Sequence, residues 1–113
     1  MYNTSTLNEI LSRTVDQFKL IYGDDLKSVI LYGSYARGDY DCESDIDVVA
    51  LVNRNRDELN LSYADIINFC SNIDIEYGIM LSASVLPYME YMKYKNDLPY
   101  YANIALEGVV LNA

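Results

Sequence analysis

Apolar residues recur along the chain in two rhythms, and the switches between them divide it into helices and strands. Leu7, Ile10, Leu11, Val15, Phe18 and Ile21 share one face of a 3.6-residue repeat, and Thr6 with Glu9 has capping-box form. The pattern predicts an amphipathic helix that stops at Gly23 and Asp24. Residues 28–32 (SVILY) and 46–52 (IDVVALV) are short, apolar and β-branched between polar turns, and read as buried strands. A helix is expected over about 58–70, carrying Leu59, Ile66, Ile67 and Phe69. Residues 73–81 (IDIEYGIML) open with apolar and acidic residues in alternation, which predicts a third strand. Ser84 with Pro87 reads as a helix start, continued by Leu86, Met89 and residues 91–95. A last helix over about 98–107 stops at Gly108, before a short strand at 109–111. Repeats, low-complexity tracts and flexible linkers are absent from the sequence, so residues 1–113 are expected to form one α/β (α+β) domain: a small mixed sheet flanked by helices.

Charge narrows the chemistry. Seventeen acidic residues against eight basic ones give a formal charge of -9, and there is no histidine. Acid–base work therefore falls to carboxylates, lysine or tyrosine, and nucleic acid is not expected as a direct ligand because an acidic domain repels phosphate backbones. A basic partner protein suits it better. Cys42 and Cys70 lie far apart without metal-ligand spacing, and free thiols are expected. The first residues lack a basic and then apolar leader pattern, and no apolar run approaches the ~20 residues of a membrane span, so a cytoplasmic protein is expected. Twelve tyrosines with no tryptophan fit half-buried interface rings and a biased codon supply equally well.

The candidate chemistry lies between the two clearest strands, in 32-YGSYARGDYDCESDID-47. Asp45 and Asp47 are two apart at a strand start, so both carboxylates leave the same face while Ile46 points to the other. Side by side they repel, unless a divalent cation neutralises both, and magnesium favours a pair of carboxylates completed by phosphate oxygens and water. Asp74 and Glu76 show the same spacing, and one of them can face the pair if their strand lies beside residues 46–52. Gly33 lets backbone approach a phosphate, Ser34 and a short helical turn from Tyr35 supply donors to it, and Arg37 adds a planar cation. Metal-binding acids and phosphate-binding donors together suit displacement at a nucleoside triphosphate.

Gly33-Ser34, ten residues, then Asp45-Ile46-Asp47 resembles the signature of the DNA polymerase β-like nucleotidyltransferase superfamily. Ala36–Arg37–Gly38, the SDID of residues 44–47 and the ending ALEGVVL of 105–111 are similar to its minimal nucleotidyltransferase (MNT) branch, and most of the chain is covered. The resemblance implies a nucleotidyltransferase fold, with Asp45 and Asp47 as metal-binding catalytic acids, Gly33 and Ser34 on the triphosphate, and Asp74 as third acid with Glu76 its rival. Many relatives have arginine after the Gly-Ser pair, where this chain has Tyr35. It further implies an antitoxin paired with a HEPN-domain ribonuclease toxin, acting as a protein adenylyltransferase that uses Mg2+ and moves AMP from ATP to a toxin tyrosine. Two alternatives are an antitoxin acting by binding alone, with the acidic surface covering the toxin, and transfer to a small-molecule hydroxyl. A chain this short has no room for a domain that holds its own acceptor, so the acceptor is expected on a partner.

Overall fold

A computed structural model describes residues 4–112. Four strands, β1 (Leu26–Tyr32), β2 (Ile46–Val52), β3 (Leu81–Pro87) and β4 (Val109–Val110), form one mixed sheet in the order β3-β2-β1-β4. β1 runs antiparallel to both β2 and β4, and β2 runs parallel to β3. Among the described residues six α-helices accompany them: α1 (Thr4–Tyr22), α2 (Ser34–Arg37), α3 (Arg56–Asn60), α4 (Tyr63–Tyr77), α5 (Tyr88–Tyr94) and α6 (Pro99–Glu107). The parallel pair needs a crossover, which α3 and α4 provide.

Alternation along the strands sorts the core into two layers. Val29, Leu31, Ile46, Val48, Ala50 and Val52 turn to one face, against Ile10, Val15 and Phe18 of α1 and Ile66 and Ile73 of α4. Ile30, Val49, Leu51 and Leu86 turn to the other, against Tyr91 of α5 and Tyr101 and Ile104 of α6. A fully covered valine or isoleucine contributes roughly 1.5–3 kcal/mol. β2 is covered on both faces, which is why it reads as an unbroken apolar run after Asp47. Helices α5 and α6 are short and shield only part of their face, so Asp47 at its open end stays partly accessible.

The third strand is not where alternation in 73–81 places it. Residues 73–77 complete α4, because Ile66, Cys70 and Ile73 form a buried stripe at helical spacing, while Ile75, the alternation's next apolar member, is 83% exposed. Gly78, in the left-handed region at φ 68°, ends the helix. The helix start expected at Ser84 is also displaced: residues 81–87 are β3, and Pro87 is its last residue and the N-cap of α5. The single helix expected over 58–70 divides into α3 and α4. Asn55 and Glu58 form a capping box at the start of α3. Thr6 sits inside α1, which already runs at Thr4, so the predicted Thr6–Glu9 cap does not open it. Among the described residues no helix is long and apolar enough to cross a membrane.

Candidate active site

β1 delivers the chain to a tight turn. Gly33 has φ 76° and ψ -156°, a region that is essentially glycine's alone, and a Cβ there would overlap Oδ2 of Asp47. Its carbonyl accepts from the amides of Ala36 and Arg37, each at 3.1 Å, winding the four residues of α2. Gly38, at φ 86°, unwinds them, and its amide and that of Asp39 donate to the Ser34 carbonyl at 2.9 and 3.2 Å. Half-buried Ser34 thus opens the turn beside Asp47's end of the sheet.

The return to β2 is fixed by acids with different tasks. Asp41 accepts from the Glu43 amide at 2.9 Å, and the Ser44 hydroxyl accepts from the Asp41 amide at 3.0 Å. That folded loop sets Asp45 immediately before the strand, while the Ile46 amide donates to the Met80 carbonyl at 3.0 Å and ties the starts of β2 and β3 together. Ile46 is fully buried on the α1–α4 face and Asp47, the next residue of β2, turns to the opposite one, while Asp45 lies just before the strand, near enough for its charge to act on Asp47. An Asp-x-x-Ser pattern was the available signal for the loop-closing residues.

Burial, and then the neighbouring charge of Asp45, raises the pKa of Asp47, against the opposing pull of Arg37. The ionised pair therefore favours a cation. Two hard oxygen donors could take a divalent cation such as magnesium, whose remaining shell would come from phosphates and water; among the described residues no group of three or more histidines, cysteines or acids is placed to hold a metal ion. Arg37 reaches this field while its Nη1 donates to Glu107 Oε2 at 2.8 Å and its Nε to Asp39 Oδ2 at 3.2 Å. Those partners raise its pKa and hold it at the rim.

Asp74 and Glu76 do not join the pair. Both lie on α4: Asp74 Oδ1 accepts from the Leu81 amide at 2.9 Å, and Glu76 is ion-paired with Arg13. The residue of β3 level with Asp47 is Ser82, and Ser84 is level with Val49 on the same face. Across β2 on the other side, Tyr32 pairs with Asp47, and its hydroxyl lies 3.0 Å from that of Tyr100. Burial first, then Tyr100, raises the Tyr32 pKa, so this ring stays a neutral phenol at the site. Tyr32 is marked in the sequence only as the residue before Gly33, whereas the places of Ser82 and Tyr100 at the site depend on strand pairing and helix packing that no local pattern signals. Tyr35 is buried in the opposite layer and stacks on Tyr40, centroids 4.2 Å apart and planes 8° from parallel. Its ring is a core element, turned from the face that carries the acids.

The family model described as nucleotidyltransferase domain matches residues 7–109. Two proteins of Methanocaldococcus jannaschii, each named "Putative protein adenylyltransferase", are similar to this chain. One is 33% identical over 97 residues, covering 86% of this chain and 89% of its own length. The other is 42% identical over 74 residues, covering 66% of this chain and 73% of its own.

Proposed function

The chain belongs to the nucleotidyltransferase domain family, and from that premise we propose that it is a magnesium-dependent protein adenylyltransferase. It moves AMP from ATP to a tyrosine hydroxyl of a HEPN-domain toxin and serves as that toxin's antitoxin. The observation that supports this reading is the fit of Gly33 against Asp47, which sets the phosphate-binding turn beside the paired acids.

Ser34 and the turn it opens bind the β- and γ-phosphates, and Arg37 approaches their outer oxygens from the rim. Asp45 and Asp47 would hold Mg2+, which when bound would supply charge neutralisation at the reacting phosphate. The acceptor oxygen forms a bond to the α-phosphorus, the bond from that phosphorus to the bridging oxygen breaks, pyrophosphate leaves, and the phenolic proton passes to solvent. Tyr32, a neutral donor opposite Asp47, closes one side of the site.

The test incubates the protein with labelled ATP, magnesium and the product of the neighbouring gene. Label on a partner tyrosine that disappears with Asp45→Asn or Asp47→Asn is the expected result; an unlabelled partner would refute it. A second reading, neutralisation by binding alone, is favoured by one observation: hydroxyls, at Ser82 and Ser84, occupy the β3 positions nearest the pair. Neutralisation that survives loss of both aspartates would select it.

A further inference from the structure

β3 is an edge strand without the usual protection. Strand edges expose unpaired amides and carbonyls, and stable folds blunt them with charges, bulges or a covering element. Seven residues long, Leu81–Pro87 carries no charged residue, and what blunts it is its terminal proline and the Cys70 thiol of α4, hydrogen-bonded to the Ala83 backbone. Along this edge runs a groove of about 450 Å3, walled by Leu59, Tyr63, Ile66, Ile67 and Cys70 of α3 and α4 and floored by residues 81–85. Tyr63 and Ile67 stand at its wall 65% and 43% exposed.

We propose that this edge receives an extended, basic segment of the acceptor protein, which adds as a fifth strand beside β3 and presents its tyrosine to Asp45 and Asp47. The inference rests on the adenylyltransferase reading and names how its substrate docks.

Three observations select this occupant. The groove reaches the site, since Ser82 both lines it and lies level with Asp47. An added strand would lie roughly 10 Å from β2 at ordinary strand spacing. A tyrosine on its site-facing side would cross Ser82, which is exposed and level with Asp47. Residues of opposite parity would turn to the apolar wall formed by Ile66, Ile67 and Cys70. Finally, charge discriminates between occupants: Asp74, next to Cys70 and bonded to the Leu81 amide, sets a carboxylate at the groove's end, and Asp47 lies level with Ser82 on the floor. A second copy of a chain with charge -9 would be repelled there, whereas lysines or arginines flanking a tyrosine would be attracted.

The test uses the full chain and two synthetic peptides of identical composition, one alternating valine and lysine around a central tyrosine, the other with valines and lysines in separate blocks. The alternating peptide should slow amide exchange in residues 81–87 and bind more tightly than the block peptide. Ile67→Glu, a change at an exposed helix position, should weaken it about tenfold. With ATP and magnesium, AMP should appear on the peptide tyrosine. Equal binding of both peptides, protection elsewhere, or concentration-dependent protection of 81–87 without peptide, which would indicate self-pairing, overturns the docking proposal. Protection of 81–87 without AMP transfer would uphold docking and count against the transferase reading, so the two fail separately.

Discussion

Gly33 and Asp47 are packed so closely that the glycine's missing side chain is what makes room for the carboxylate, with Cγ of Asp47 3.3 Å from the place a Cβ would occupy. This contact joins the end of β1 to the start of β2 and brings the glycine–serine turn and the second acid of the Asp-x-Asp pair to one point.

Gly33→Ala should therefore fail twice. The alanine cannot adopt the glycine's backbone without strain of about 1–3 kcal/mol, and its methyl displaces Asp47. Urea unfolding should show the stability loss, and magnesium affinity measured by calorimetry should fall with it. Unchanged affinity would mean that the turn and the carboxylate are not coupled.

Asp47→Asn separates catalysis from stability. Its folded-state pKa is raised by burial and Asp45, so the folded chain binds this proton more tightly than the unfolded chain. Folding is then favoured as pH falls through that pKa and disfavoured above it, where the ionised form carries the cost. In metal-free buffer at pH 7 the asparagine variant should melt higher than wild type, and the gain should shrink towards pH 4. Magnesium should raise the wild-type melting temperature more than the variant's. AMP transfer should drop on the order of 10²–10³-fold, the size expected for a lost electrostatic contact to the transition state.

Asp74→Ala addresses the acid that sequence spacing proposed as third. It should lose the hydrogen bond from the Leu81 amide and about 1 kcal/mol of stability. Transfer should change far less than with Asp45→Asn. A loss comparable to Asp45→Asn in single-turnover assays would return Asp74 to the reaction.

Tyr35→Ala should unfold the protein more readily than any substitution of Tyr40, its half-buried stacking partner. Removing a buried aromatic ring costs about 3–5 kcal/mol. Thermal melts of the two alanine variants give the comparison, and equal losses would contradict a core role for Tyr35.

The sequence by itself determined the parts whose information is local. The run from Ile46 to Val52 is β2 to the residue, and period-two alternation along it turns Asp47 to the face opposite Ile46. Gly33 at the end of an apolar strand announced the turn. Residues 73–87 were not legible in the same way. There a few alternating residues compete with a helical stripe whose other members, Ile66 and Cys70, lie upstream, and burial against the sheet decides for the helix. That decision moves the third strand to 81–87, carries Asp74 and Glu76 away on α4, and sets Ser82 beside Asp47. Only the tertiary structure could settle it, because strand partners are chosen by contacts between residues distant in the chain, and no local pattern encodes which residue will stand next to which.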